Sequence, residues 1–111
     1  IKRVPGTGEL LMVWNDHSTI EESFRSADSA EKRTGGKRTP LTLALSRDEG
    51  ATWTRAHDLL ASPAGWYCYT AIHFAGSRVL LAFASGGDGL PGLSKMDLAY
   101  FDIDSLREPT R

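Results

Sequence analysis

Most side chains of this sequence that could do chemistry lack the spacing that a reactive site needs. His17, His57 and His73 do not have the spacing of metal ligands. Residues 86–89, Gly-Gly-Asp-Gly, lack the regular acidic positions of a calcium loop and the Lys-Ser/Thr of a phosphate loop, so we interpret them as a flexible turn. Cys68 is the only cysteine, which rules out an internal disulfide. The sequence therefore predicts no metal site and no cofactor.

The most specific pattern is an eight-residue segment, residues 46–53, which reads Ser-Arg-Asp-Glu-Gly-Ala-Thr-Trp. The Asp48 side chain can accept hydrogen bonds from backbone N–H groups just downstream and so cap its own turn. Gly50 can adopt the positive φ that closes a tight hairpin. Trp53 then returns a large apolar ring to the sheet surface. The spacing predicts a tight hairpin between two strands.

The bulk properties of the chain limit the elements that can position this hairpin. The chain has 111 residues, of which 41% are hydrophobic and 24% charged, as in one small globular domain or part of a larger one. A net charge of −1 gives no electrostatic reason to expect nucleic acid or an anionic membrane as a partner. No apolar run approaches the roughly 18 residues of a membrane span. The chain begins at Ile1 inside a strand-like run, so we expect further sequence upstream, and the cellular compartment stays open.

Strand-like runs dominate the sequence. Leu41, Leu43 and Leu45 share one face of an alternating run in which Thr42 and Ala44 take the other face. Comparable segments, separated mostly by short turns, occupy residues 1–4, 10–14, 39–46, 51–57, 67–74, 78–84 and 96–103. About seven strands of this kind predict an all-β protein.

Two longer connections interrupt the strands. Residues 16–37 are polar, and the capping-box spacing of Ser18 with Glu21 predicts a short helix near residues 19–25. Residues 85–94 are rich in glycine and are predicted to form a loop. Long loops on a β scaffold often carry function, and an insertion without structure is the alternative for residues 16–37.

The predicted strands group into fours. Residues 1–57 supply one antiparallel set of four strands, and residues 67–104 supply three strands of a second set. Sets of four antiparallel strands form the blades of a propeller. Two blades cannot close a ring, so the sequence predicts one domain over residues 1–111 that is a partial propeller. Its apolar sides would be covered by further copies of the chain or by the remainder of a propeller.

Three segments of the chain resemble the sialidase (neuraminidase) superfamily, whose members are six-bladed propellers with Asp-box (BNR) repeats. The first lies in residues 1–15, where Ile-Lys-Arg-Val-Pro is followed by Gly-Glu-Leu-Leu-Met-Val-Trp-Asn. The second is residues 38–53, where Arg-Thr-Pro-Leu-Thr-Leu-Ala-Leu is followed directly by the eight-residue segment 46–53, which corresponds to the Asp-box. The third is residues 67–72, Tyr-Cys-Tyr-Thr-Ala-Ile. Together they resemble the C-terminal third of such an enzyme.

The resemblance implies roles for individual residues. Arg38 matches by position the third of three arginines that grip the carboxylate of sialic acid in this family. Tyr69 matches the nucleophile of the family, because a neutral tyrosine avoids repulsion by the carboxylate of the substrate. The Asp-box lies on the rim away from the active site in the family. Structural roles are therefore implied for Ser46, Asp48, Gly50 and Trp53.

The neighbours of Tyr69 offer further candidates. Tyr67 shares the predicted strand facing of Tyr69 and is the fallback nucleophile or a substrate contact. Trp66 could line the same sugar site or pack between strands. Cys68 alternates with both tyrosines and is expected to point the other way, as a buried apolar group. From the residues alone, Arg38 could instead be a solvated charge and Tyr69 a packed strand aromatic.

Two functions stay open at this level. The resemblance implies an exo-sialidase-like glycoside hydrolase that acts on terminal sialic acid or a related acidic sugar of a glycoconjugate. Several catalytic groups of the family have no match here: the acid/base Asp, the activating Glu and the other two arginines. The isolated chain would therefore be inactive. Glu21 or Glu22 could supply a carboxylate. The alternative is a non-catalytic Asp-box module with a sugar-binding or structural role, of which three copies would close a six-bladed ring. A seven-stranded sandwich and a propeller lyase are further alternatives.

Overall fold

The fold is all-β, as the sequence predicts. A computed structural model describes residues 1–19, 37–54 and 56–107, and these residues contain no α-helix. The helix predicted near residues 19–25 and most of the polar loop lie outside the described residues. The strands are β1 (Lys2–Arg3), β2 (Leu10–Trp14), β3 (Leu41–Ser46), β4 (His57–Leu60), β5 (Gly65–Ala75), β6 (Arg78–Gly87) and β7 (Leu90–Asp102). Two 3₁₀ helices span His17–Thr19 and Ile103–Leu106.

The strands form two antiparallel sheets in chain order. The first sheet has the order β1-β2-β3-β4 and the second has the order β5-β6-β7. The predicted division into sets of four and three strands is therefore confirmed. A parallel bridge between Arg38 and Trp66 joins the two sheets, and there the Tyr67 amide donates to the Arg38 carbonyl oxygen at 2.7 Å.

One hydrophobic core lies between the sheets. The first sheet contributes a leucine-rich face, on which Leu11 is directly opposite Leu45 in the register of β2 and β3. The second sheet contributes β6, of which alternate residues are fully buried. Burial of one such side chain contributes about 1.5–3 kcal/mol. The central buried residues are Leu11, Leu43, Leu45, Val79, Leu81 and Phe83.

The strand predicted over residues 51–57 is wrong for its described residues other than His57, because the Asp-box turn extends to Thr54. The Thr54 amide donates to the Leu45 carbonyl at 2.7 Å, and the Leu45 amide donates to the Thr54 hydroxyl at 2.9 Å. These bonds use the backbone and side chain of Thr54 to close the turn. Strand β4 therefore begins at His57 rather than at residue 51.

The loop predicted over residues 85–94 is also wrong, because this segment is a β-hairpin. Strand β6 continues to Gly87, which pairs with Leu90 of β7. The two turn residues, Asp88 and Gly89, have φ values of 51° and 92°. Two consecutive positive φ values are typical of the type I′ turn, for which Asp-Gly is a favoured pair. The glycines thus serve a tight hairpin rather than a flexible loop.

A buried carboxylate joins distant segments at the Asp-box end of the molecule. Glu9 is 6% exposed and accepts from Arg107 through Nη2 at 2.5 Å and Nε at 3.2 Å. Arg47 of the Asp-box contacts the same carboxylate at 3.4 Å, and the Thr7 hydroxyl donates to it at 2.9 Å. The bond from Arg107 is the largest of the effects that lower the pKa of Glu9, and burial opposes it. The charged form of Glu9 therefore stabilises the fold.

We expect the substitution Glu9→Gln to lower the free energy of unfolding by about 1–3 kcal/mol at pH 7, because it removes the buried carboxylate that pairs with Arg107 and leaves only the exposed Asp104 to that guanidinium. The pKa of Glu9 is lowered on folding, so the contribution of Glu9 is present above its unfolded pKa. That contribution is lost as the pH falls through the lower, folded pKa. Denaturant unfolding at several pH values should therefore show the wild-type advantage shrinking in acid.

The matched control is Glu49→Gln, which removes an exposed arginine–carboxylate pair at the same end. Arg3 and Glu49 are joined at 2.7 Å, but their side chains are 54% and 69% exposed. An exposed pair of this kind contributes little to stability, because solvent screens it. Equal losses for the two substitutions would contradict the special role of the buried carboxylate.

Candidate functional site

The Asp-box residues are occupied in holding their own turn. The Ser46 hydroxyl accepts from the Gly50 amide at 2.8 Å and donates to Asp48 Oδ1 at 2.9 Å. Asp48 also accepts from the Thr52 amide at 2.7 Å and from the Thr52 hydroxyl at 2.5 Å. The bonds from Thr52 lower the pKa of the Asp48 carboxyl group. Asp48 thus caps its turn as the spacing predicts.

The same turn needs its glycine and its tryptophan. Gly50 has a φ of 90°, which a residue with a Cβ adopts only with strain. The ring of Trp53 lies against Gly50, 3.7 Å from the position that a Cβ would take. These contacts give the turn a compact, fully bonded interior. The hydrogen bonds that Asp48 accepts come from residues of its own turn, which fits the structural role implied for the Asp-box.

Arg38 lies at the other end of strand β3. Ser46 closes β3, whereas Arg38 precedes its first residue, Leu41. At about 3.3 Å per strand residue, the two ends of β3 are roughly 15–20 Å apart. The Asp-box and the candidate site residue Arg38 are therefore separated by the length of one strand.

Arg38 and Tyr69 line one cavity of about 200 Å³. Tyr67 and Cys68 of strand β5 also line it, and most of the remaining lining is apolar. Among the described residues, Arg38 supplies the only charged side chain of this cavity. Its guanidinium forms no hydrogen bond or ion pair within the part of the chain that the structure describes. Its five N–H donors can therefore meet an anionic ligand.

Tyr69 owes its exposure to an irregularity in strand β5. The register of β5 against β6 shifts between Cys68 and Ala71, so the strand bulges at Tyr69. Tyr69 has a φ of 54° and its side chain is 72% exposed. A bulky residue with a positive φ is strained, and such strain persists only where the surrounding structure imposes it. The bulge therefore turns the phenol out of the sheet and toward the cavity.

The shared facing predicted for Tyr67 and Tyr69 is wrong, because the bulge breaks the alternation between them. Tyr67 is 7% exposed and packs edge-on against Phe83, with ring centroids 6.3 Å apart. Burial raises the pKa of the Tyr67 phenol, and the nearby Asp88 carboxylate adds to the effect. Tyr67 is thus a core residue that borders the cavity, whereas Tyr69 is exposed at its edge.

The structure places Trp66 outside this cavity. Its indole lies under the backbone of Gly92, where an added Cβ would come within 3.1 Å of the ring. The indole Nε1 is buried and has no hydrogen-bond partner among the described residues. Cys68 is 8% exposed, which confirms its predicted burial. No group of three or more His, Cys, Asp or Glu residues that could hold a metal ion occurs in the described ranges.

A residue that the sequence reading missed connects the two halves of the cavity. Asn15 follows strand β2 and also lines the cavity. Its side-chain amide donates to the carbonyl oxygen of Pro40 at 2.9 Å and to that of Tyr67 at 3.0 Å. The only signal in the sequence was an amide side chain directly after an apolar strand, and nothing local indicated its partners.

Comparison with known proteins identifies no relative, since no family model, no curated protein and no solved structure matches this chain. Within the described residues, no helix has the length and apolar character needed to cross a membrane. The site is therefore interpreted from its own geometry.

The strain at Tyr69 can be measured by comparing small residues at that position. We expect Tyr69→Gly to be more stable than Tyr69→Ala by about 0.5–1 kcal/mol. A positive φ costs an L-residue roughly 1–2 kcal/mol, and glycine does not have this cost. The stabilisation is partly offset because glycine loses more chain entropy on folding than alanine does. The measurement is denaturant unfolding of both variants. At Ala71, just beyond the bulge, Ala71→Gly should instead lower stability. The same sign at both positions would contradict strain at Tyr69.

Proposed function

We propose that this chain supplies part of the active site of a sialidase-type glycoside hydrolase, which acts on terminal sialic acid or a related acidic sugar. The proposal rests on one observation: Arg38 and Tyr69 line the same cavity, and the guanidinium is the only charged side chain there among the described residues. A cavity with a positive group and no acidic one favours an anionic ligand over a neutral one.

The positions of Arg38 and Tyr69 suit a carboxylate-binding residue and a nucleophile, respectively. A guanidinium can bind both oxygens of a sugar carboxylate through two parallel hydrogen bonds. The exposed Tyr69 phenol can then approach the anomeric carbon that carries this carboxylate. In the proposed reaction, the phenol oxygen forms a bond to that carbon while the glycosidic C–O bond breaks. The leaving oxygen takes a proton from an acid, and water later hydrolyses the glycosyl-tyrosine.

The proposed reaction needs groups beyond Arg38 and Tyr69. A phenol requires a base to become a nucleophile near neutral pH, and the leaving group requires an acid. No carboxylate lines the cavity among the described residues. Glu21 and Glu22, the candidates from the sequence, lie outside the described residues. We therefore expect binding by this chain, and hydrolysis only where a carboxylate and further arginines complete the site.

The carboxylate clamp is tested by titrating the chain with N-acetylneuraminate and with its methyl ester, which lacks the negative charge. We expect Arg38→Ala to weaken binding of the acid about 10–100-fold, because charge-assisted hydrogen bonds contribute about 1.5–3 kcal/mol. Arg38→Lys should recover part of this loss, since an ammonium group keeps the charge but not the bidentate geometry. Arg78→Ala, at an arginine stacked on Tyr100 outside the cavity, is the control. Equal affinity for acid and ester would contradict the clamp.

The nucleophile is tested by hydrolysis of an aryl sialoside by the chain in its natural sequence context. The substitution Tyr69→Phe removes only the reacting oxygen, so it should abolish turnover while leaving binding of N-acetylneuraminate within about twofold. An unchanged rate would remove Tyr69 from the mechanism.

A different observation favours a second function. In this alternative, the chain is a non-catalytic module that assembles into a closed ring and binds acidic sugars. The outer face of the β5–β7 sheet carries exposed apolar side chains on β7, where Met96, Leu98 and Tyr100 are 66%, 66% and 65% exposed. Their cross-strand neighbours on β6 include Ala82 and Ala84, which are also apolar. An apolar face of this kind is typical of an interaction surface. Three copies of the chain would cover such faces in a closed ring.

The assembly is tested by measuring molecular mass across a range of concentrations. The ring predicts a species of three times the 12.1 kDa chain mass. The substitution Leu98→Lys should shift the midpoint of association at least about tenfold, because it buries a charge in the interface. Ala61→Lys adds the same charge at an exposed loop position and should have no effect. A monomer at all concentrations would contradict the ring and favour a self-contained sandwich.

A further inference from the structure

Asn15 bonds to both segments that carry the candidate site residues. Its Nδ2 donates at 2.9 Å to the carbonyl oxygen of Pro40, two residues after Arg38. The same nitrogen donates at 3.0 Å to the carbonyl oxygen of Tyr67, two residues before Tyr69. Arg38 belongs to the segment that leads into β3, and Tyr69 belongs to β5 of the other sheet. One amide group thus spans the junction of the two sheets.

The chemistry of this contact leaves Asn15 only one orientation. Both partners are carbonyl oxygens, which can only accept hydrogen bonds, so the NH₂ group must face them. The amide has two N–H bonds, and each carbonyl takes one. A carboxylate of the same shape has no donor for either carbonyl and would repel both. An aliphatic side chain would leave both carbonyls without this partner.

Among the described residues, three other hydrogen bonds hold this region, and each holds only one point. The Lys2 ammonium group of β1 donates to the Ile72 carbonyl of β5 at 3.0 Å. The Tyr67 amide donates to the Arg38 carbonyl at 2.7 Å. The Thr39 hydroxyl donates to the Ser62 carbonyl at 2.8 Å. Of these bonds, the one from Asn15 to Tyr67 fixes the carbonyl closest along the chain to the bulge, two residues before the backbone takes its positive φ at Tyr69.

We propose that Asn15 is a positioning residue, which holds the Arg38 segment and the Tyr69 bulge at a fixed separation across the cavity. Without the amide, the Tyr67 carbonyl loses its donor and the start of the bulge is free to shift relative to Arg38. The separation of a guanidinium and a phenol then varies, although neither group is altered. The role in ligand binding rests on the proposed function, whereas the role in holding the junction does not.

Amide hydrogen exchange tests the junction directly. The reporter is the Tyr67 amide, which donates to the Arg38 carbonyl and exchanges when the two segments separate. We expect Asn15→Ala to speed exchange at Tyr67 about tenfold or more, while amides of the central strand β6 stay within about twofold. Asn15→Ser, which keeps one donor on a shorter side chain, should give a smaller effect in the same place.

The matched control is Thr42→Val in strand β3. Thr42 is buried, and its hydroxyl donates to Asp58 at 2.9 Å, in the same sheet but outside the cavity lining. Its loss destabilises the sheet without touching the junction, so it should leave exchange at Tyr67 unchanged relative to β6. Uniformly faster exchange in Asn15→Ala, or an equal effect of Thr42→Val at Tyr67, would overturn the proposal. If Asn15→Ala does not fold, Asn15→Ser is judged by the same criteria.

Titration with N-acetylneuraminate then separates this proposal from the proposed function. If the wild type binds the sugar acid, Asn15→Ala should weaken binding about 10–100-fold, as misplacement of a binding group by about 1 Å does, and Thr42→Val should not. Unchanged affinity in Asn15→Ala would overturn the positioning role. If the wild type does not bind, the carboxylate clamp fails, and hydrogen exchange alone decides whether Asn15 holds the junction.

Discussion

The hydrogen bond from the Tyr67 amide to the Arg38 carbonyl joins the two sheets at the point on which the candidate site depends. Each sheet is a simple antiparallel meander, and neither brings a cation and a phenol together by itself. Arg38 lies just before β3 of the first sheet, and Tyr69 lies on β5 of the second. The backbone bond, with the Asn15 amide beside it, places the two residues on one cavity.

Strand β3 separates two ends of the molecule with different properties. At one end, the Asp-box turn satisfies its own polar groups, and Glu9 draws Arg47 and Arg107 together around a buried carboxylate. At the other end, the Arg38 guanidinium has no ion-pair partner among the described residues. A positive φ at a non-glycine residue occurs at both ends, at Glu49 in the Asp-box and at Tyr69 beside the cavity. Polar groups whose hydrogen bonds are satisfied stabilise a fold, whereas a cation without a partner beside a cavity is available to a ligand. This contrast supports a binding role at the Arg38 end.

The sequence predicted the features that depend on local spacing. The eight-residue Asp-box gave the capped turn, with Asp48 bonded to Thr52 four residues away. The alternation of residue types predicted that Leu41, Leu43 and Leu45 of β3 share one face, and all three lie in the core. The turn signals predicted the grouping into four and three strands. The hairpin at Asp88 and Gly89 also had a local signal, since Asp-Gly favours a type I′ turn. The high glycine content of its surroundings was wrongly interpreted as a loop.

Other features depend on distant partners, so no local pattern could indicate them. Asn15 bonds to Tyr67, 52 residues away, and Glu9 bonds to Arg107, 98 residues away. The bulge that separates the facings of Tyr67 and Tyr69 arises from the pairing of β5 with β6, in which one extra residue of β5 must be accommodated between Cys68 and Ala71. Strict alternation along β5 would have placed both tyrosines on one face. The pairing partner, not the strand itself, decides which phenol is exposed.

The central claim is that the Arg38 guanidinium and the Tyr69 phenol together receive the carboxylate end of an acidic sugar. Its most direct measurement is an NMR titration with N-acetylneuraminate that follows the guanidinium Nε–H signals of all arginines and the ring signals of all tyrosines. We expect saturable shifts at Arg38 and Tyr69, with Arg78 and Tyr100 unchanged. Shifts at other arginines without Arg38, or no saturable shift at all, would contradict this claim.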